Sequence, residues 1–351
     1  VNWAAFKFLG VLREKKHSMV IKCQSRVSHA LLVVKRILTQ VNPSTGEPQD
    51  QAIDQGFPVR YLREVSLLRA CDHPNVMRLR FVSYHNSNLQ LFSDYVGQNV
   101  EDYIASLGKA YYTVGTPENA QTMHTCRNFM GQILEAVHYC HSIGIILRDI
   151  KPRNVMIDHR DSSVVRLTGF ALGRFASLPA EPLTREVVTL SYRAPEILLG
   201  GANPVYSAPI DLWSVGCTMA EVASGKTLFE GDSEIGQLFC IFRLLGTPTE
   251  EVWPGLSLLP DFLADPPRWP PRDLRVAGPG LCADGLALLG AMLQYHPASR
   301  ISAHAARLHP YFTRPRHTTP PPPSPPAPSA AAGKEAGRKE EGGGRKERGG
   351  G

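Results

Sequence analysis

The chain has 351 residues, 43% of them hydrophobic and 20% charged, enough for two lobes that each bury a core of their own. Its net charge of +6 and isoelectric point near 8.9 come partly from a basic tail, so a solvated basic surface accounts for them and no specific nucleic-acid partner is expected. The cysteines (Cys23, Cys71, Cys126, Cys140, Cys217, Cys240 and Cys282) are odd in number and include no C-x-x-C pair, which argues against a disulfide framework or zinc site and for reduced thiols in a cytoplasmic and/or nuclear protein.

The opening VNWAAFKFLG is broken by Lys7 and has no cleavage-site pattern, so no secretory leader is expected. FKFLGVL, SMVIKC and ALLVVKRIL read as short strands joined by turns. NPSTGEPQD is a loop by composition. PVRYLREVSLLRAC then reads as a helix, with Pro58 in its first turn and Leu62, Val65 and Leu68 as an apolar stripe. NVMRLRFVSY and NLQLFSDYV give two further strands. These elements make a small mixed lobe over residues 1–95.

Residues 96–312 are mainly helical by pattern. In ENAQTMHTCRNFMGQILEAVHYCHSIG, Cys126, Phe129, Ile133 and Val137 share a face, and Gly144 offers a stop. APIDLWSVGCTMAEVASG is a second apolar helix between Pro209 and Gly225. No run of about twenty apolar residues occurs, so no membrane span is expected. The Pro-, Gly-, Lys- and Arg-rich tail over 313–351 is too polar to offset its ordering entropy and is expected to be disordered.

Motif order carries the functional signal. A lysine ends the apolar strand at LVVK (Lys35), and a helix follows with a central Glu64. The loop LRDIKPRN comes next, then an A-P-E triplet ending at Glu196 and DLWSVG starting at Asp211. In this order and spacing the chain resembles the protein kinase superfamily. Within it, PVRYLRE, EVVTLSYRAPEILLG and GDSEIGQLFCIFRLLGTP resemble the cyclin-dependent kinases of the CMGC group. The resemblance covers roughly residues 6–312 and implies an α+β fold, the bilobal protein kinase fold, with a small β-rich N-lobe and a larger α-helical C-lobe.

The resemblance also implies roles. ATP would be the phosphoryl donor, with Lys35 on its α/β-phosphates, Glu64 pairing with Lys35, and Gly10, Asp94 and Val96 as further ATP-binding positions. Asp149 would be the catalytic base, Lys151 would neutralise charge on the transferring phosphate, and Asn154 would hold magnesium. Thr184 aligns with the activation-loop threonine modified by an upstream activating kinase. Arg63, Arg148 and Arg174 would clamp its phosphate. Glu196 and Arg300 would form a buried ion pair, and Asp211 would bond the catalytic-loop backbone. A cyclin or cyclin-like protein would dock on 58–64, and the substrate would be a protein.

Several positions depart from the family pattern. Leu147 replaces a histidine, which keeps packing but loses a hydrogen bond worth about 1 kcal/mol. The glycine-rich loop is reduced to LGVLREKKHSMVIK, where only Gly10 remains and Ser18 stands near the last glycine position. Backbone N–H groups there lose their close approach to phosphate, although Lys15 and Lys16 could attract phosphate as side chains. In RLTGFALGR, Gly169 replaces the magnesium-binding aspartate and Ala171 replaces a glycine. Asp158 and Asp161 are nearby carboxylates, but DHRDSS turns them away from the cleft. His17 and Ser18 replace the inhibitory Thr-Tyr pair, Ser191 replaces a tryptophan, and Ser93 at the gatekeeper position is expected to open a back pocket.

Three readings are open at this point: a cyclin-dependent-kinase-like Ser/Thr kinase with impaired catalysis, a pseudokinase that binds and scaffolds a partner, or a decayed gene copy.

Overall fold

Apolar runs broken by turns pair at once with their sequence neighbours. In the computed structural model, which describes residues 3–15, 18–37, 59–85, 88–176, 189–202, 204 and 207–314, β1 (Phe6–Lys15), β2 (Ser18–Ser25) and β3 (Leu31–Ile37) form an antiparallel meander. β4 (Leu79–His85) and β5 (Asn88–Asp94) complete the sheet in the order β1-β2-β3-β5-β4. The loop read at 42–50, Pro58, Lys16, His17, Thr184 and the tail from 315 lie outside the described residues.

The sheet has two apolar faces. Ile21, Cys23, Leu32, Val34 and Phe92 pack on one side, under Trp3 and Phe6. Ile37, Leu89 and Leu91 pack on the other, against Tyr61 of α1 (Val59–Ala70). The buried face of that helix is Tyr61, Glu64, Leu67 and Leu68. The expected stripe through Leu62 is corrected: Leu62 is 50% exposed, because the charged Glu64 takes an inward position.

β4 starts later than the apolar run NVMRLRFVSY suggests. Asn75 Nδ2 donates to Gln132 Oε1 (2.7 Å) and Val165 O (2.8 Å), and Met77 N donates to Leu167 O (2.8 Å). Those bonds tie the segment's start to the helical lobe instead.

That lobe forms around α2 (Val100–Ser106) and α3 (Pro117–Ser142). Thr116 caps α3 by accepting from Asn119 N (3.1 Å), and Cys126, Phe129, Ile133 and Val137 are all buried. Short strands follow: β6 (Ile145–Ile146), β7 (Val155–Ile157), β8 (Val165–Leu167) and β9 (Arg174–Phe175), pairing β6 with β9 and β7 with β8. They carry the loops of the site. α4 (Pro195–Leu198), α5 (Pro209–Ser224), α6 (Glu234–Leu245), α7 (Ala283–Met292), α8 (Ala303–Arg307) and α9 (Pro310–Thr313) enclose one core with Trp213 at its centre, stacked on Phe229. Thr313 and Arg314, assigned to the tail by composition, close the last helix, and Arg127 Nη2 donates to Phe312 O and Arg314 O. Among the described residues no helix is long and apolar enough to cross a membrane.

Candidate active site

Lys35 and Glu64 meet between the sheet and α1. Lys35 Nζ donates to Glu64 Oε1 at 2.8 Å and Oε2 at 2.6 Å. Glu64 is 4% exposed, so the pair holds α1 against the sheet by a charge-assisted contact that burial keeps from being screened.

The catalytic loop hangs from one buried carboxylate. Asp211, fully buried on α5, accepts from Leu147 N (2.9 Å), Arg148 N (2.8 Å) and His141 Nε2 (2.8 Å). These bonds hold Arg148 at a φ of +70°, a conformation that costs a non-glycine residue about 1–3 kcal/mol. The strained turn presents Asp149. Its Oδ1 accepts from Lys151 Nζ (2.7 Å) and Thr189 Oγ1 (3.2 Å), and its Oδ2 accepts from Asn154 Nδ2 (2.7 Å). Lys151 Nζ also donates to Thr189 Oγ1 at 2.5 Å. Thr189 was invisible to motif reading as a partner of Asp149, because the two are 40 residues apart in sequence.

Gly169 sits across from Asn154, at φ +88° and ψ 29°. A β-carbon there would fall 2.5 Å from Asn154 Nδ2 and 2.7 Å from its Cγ. The Asn154 amide occupies that space and is fixed by two donated bonds, to Asp149 O (2.8 Å) and Asp149 Oδ2. Asp158 and Asp161 are bound elsewhere. Asp158 pairs with Arg166 (3.0 Å) and accepts from Arg160 N (2.9 Å), while Asp161 accepts from Ser163. Burial works against the Asp158 charge, yet the Arg160 bonds and the Arg166 charge hold its carboxyl below the ordinary range.

The first hairpin brings side chains where the family pattern has glycines. Arg13 pairs with Val20, which pairs with Lys35, and Lys15 pairs with Ser18, which pairs with Ile37. Directly paired residues project from the same face of a sheet. Arg13 and Lys15 therefore leave the sheet on the face that carries Lys35. Gly10 lies on β1, away from the hairpin tip. It lies opposite Lys22 at a bulge in β1, with φ +145°, where only glycine is at ease.

At the other end of that face, Ser93 pairs with Val33 and Leu79. Asp94 Oδ1 accepts from Arg80 Nε (2.7 Å), and the carbonyl of buried Val96 accepts from His159 N (2.6 Å). Lys22 Nζ lies 3.8 Å from the centre of the Tyr95 ring.

Beside the loop, Arg63 on α1 and Arg174 on β9 are close enough for Arg174 to depress the Arg63 guanidinium, after partial burial as the larger cause. Arg148 is 1% exposed. Thr184 lies outside the described residues. In the large lobe Arg300 holds Glu196 with two bonds, Nη1–Oε1 at 2.7 Å and Nη2–Oε2 at 3.0 Å.

A five-stranded sheet with one bridging helix, a helical lobe, and a Lys–Glu pair above an Asp-Lys-Asn loop define a two-lobed phosphotransferase architecture. The family model for the protein kinase domain matches residues 10–312, and the chain belongs to that family. Kinase domains bind ATP, usually with magnesium, and act on protein substrates.

The residues present do not fit magnesium. Residue 169 supplies no carboxylate, and the Asn154 amide nitrogen is spent on Asp149, which leaves its Oδ1 as a single neutral oxygen donor. Among the described residues no cluster of three or more His, Cys, Asp or Glu could hold a metal ion. Magnesium prefers near-octahedral oxygen ligation, and this donor set does not provide it.

Proposed function

We propose that the chain is a cyclin-dependent-kinase-like Ser/Thr kinase whose phosphoryl transfer is strongly impaired. The observation that carries this reading is the Asn154 amide lying against Gly169, where the family pattern has a metal-binding carboxylate. The remaining machinery supports a kinase ancestry and a positioned cleft. Lys35 and Glu64 are paired, and Asp149 is oriented by Lys151 and Asn154. A substrate hydroxyl approaching Asp149 Oδ1 competes with Thr189, which already donates there.

The test is phosphorylation of a Ser-Pro or Thr-Pro peptide by the native chain and by Asp149→Asn. General-base catalysis contributes typically about 10²–10⁴-fold. The expected result is that the two rates agree within about tenfold. A native rate exceeding the variant by the full general-base factor overturns the reading.

A scaffold role is the second reading, and one observation favours it. On α1, Val59 is 65% exposed and Leu62 50% exposed, one turn apart on the outward side of a helix that the Lys35–Glu64 pair fixes. Exposed apolar residues on a fixed helix suit partner docking. In this reading 58–64 engages a cyclin or cyclin-like protein. Arg63, Arg148 and Arg174 receive a phosphate placed on Thr184 by an upstream activating kinase.

A further inference from the structure

The family's usual metal contributes two positive charges beside the phosphates. This cleft has two cations of its own outside its ion pairs. Lys35 is paired with Glu64, Lys151 with Asp149, and Arg153 with Glu101 at 2.9 Å. Arg13 and Lys15 form no ion pair with another described residue.

Position and environment agree on where those two cations point. The row Arg13–Val20–Lys35 and the row Lys15–Ser18–Ile37 lie on one face of the sheet, the face that packs on Tyr61 of α1. The groups acting on them come from the same sheet face and from the helical lobe. Partial burial depresses the Lys15 ammonium, and so do Arg13, Lys151, Lys35 and Arg153. Burial and Arg153 lower Arg13, while Glu101, Asp102 and Asp149 act in the opposite sense. Arg13, Lys15 and Lys35 thus share one sheet face, and neighbouring cations oppose the Lys15 charge. An entering polyanion relieves that repulsion. Arginine matches phosphate oxygens as a fork, and lysine does so as a point charge.

We propose that Arg13 and Lys15 take the place of the divalent cation, so that with Lys35 and Lys151 they bind the polyphosphate of a nucleoside triphosphate without metal. This rests on the reading that Gly169 and Asn154 do not hold magnesium. Glycine loops bind phosphate through backbone N–H groups; here side-chain charge does it, and the geometry serves binding better than transfer. Free metal-complexed ATP carries less charge than ATP alone, so magnesium weakens the interaction.

The test is calorimetric titration of the full chain with ATP in EDTA and in excess magnesium, for native protein and for Arg13→Glu/Lys15→Glu. Both positions lie on an edge strand, and unchanged melting of the unliganded variant verifies its fold. The expected results are native binding in EDTA at least as tight as in magnesium, and a loss of about tenfold or more in the variant, the effect of one charge-assisted contact. AMP is expected to bind at least about tenfold more weakly than ATP for the same reason. Binding that requires magnesium overturns both this proposal and the metal-free reading of Gly169. Metal-independent binding that the variant retains overturns this proposal alone. No native binding in either buffer overturns it as well, and inorganic tripolyphosphate binding as tightly as ATP overturns the assignment to a nucleotide.

Discussion

The side-chain amide nitrogen of Asn154 lies 2.5 Å from where the first carbon of any side chain on residue 169 would have to be, too close for both to keep their places. The two residues are coupled. Asn154 packs against Gly169 while bonding twice to Asp149. The site closes around Asp149 as a hydrogen-bonded set, and among the described residues no group of three or more His, Cys, Asp or Glu could hold a cation.

Restoring the carboxylate alone is therefore expected to fail. Gly169→Asp pushes a β-carbon into the Asn154 amide and places a side chain at φ +88°. Overpacking of this kind costs about 1–3 kcal/mol. Peptide phosphorylation is expected to rise by less than the roughly 10–100-fold that even a supporting residue of a metal site carries. Adding Asn154→Ala is expected to recover the lost stability, since contacting residues do not behave additively. Thermal melting of the single and double variants checks this.

Removing one partner of the buried Arg300–Glu196 pair strands a charge. Arg300 is enclosed by Glu196, the carbonyls of Pro209 and Gln294, and the Trp213 ring 5.3 Å away. Glu196→Ala is expected to destabilise the chain by about 3–5 kcal/mol, read from urea unfolding.

Stability is also expected to depend on pH through Glu221. Burial, as the largest cause, raises its carboxyl above the ordinary 4.5, although the Tyr192 hydroxyl donates to it at 2.6 Å. The folded state then binds a proton that the unfolded state has released. This contribution is full below pH 4.5 and is lost as pH rises from there through the raised folded value. Glu221→Gln is expected to flatten that dependence and to be more stable than native protein at pH 7, as unfolding measured across pH will show.

Motifs made much of this legible. The two-lobed α+β fold follows from the strand runs, and the α3 face of Cys126, Phe129, Ile133 and Val137 follows from helical periodicity, since all four residues there are apolar and buried. Periodicity misses the face of α1, because Glu64 is buried against Lys35, a partner 29 residues away. Periodicity counts apolar residues and misses an inward charge. The Arg13–Val20–Lys35 row needs the register of two hairpins, and two register shifts in β1, at Phe8/Gly10 and at Val11/Arg13, change which residues share a face. The Asn154–Gly169 contact depends on a left-handed backbone that no local pattern announces.

Ser93 stands opposite Val33 and Leu79 in the sheet, so a phenylalanine there fills the space beside them. A bulky purine analogue is expected to raise the melting temperature of native protein more than that of Ser93→Phe. Equal shifts contradict an open pocket at this position.

For partner docking, Val59→Ser/Leu62→Ser removes exposed apolar surface with little effect on the core. Retention in a pull-down against a cyclin panel is expected to fall by about fivefold or more, as for residues worth over 1 kcal/mol at an interface. Retention equal to native contradicts docking through this face.

The absence of a metal site at Gly169 and Asn154 is tested most directly by manganese, a paramagnetic stand-in for magnesium, titrated into ATP with and without the native chain and followed by electron paramagnetic resonance. The account predicts that the protein leaves the affinity of ATP for manganese unchanged or weaker. A protein-bound manganese signal that tightens this affinity by about tenfold or more, and that Asn154→Ala abolishes, would contradict it.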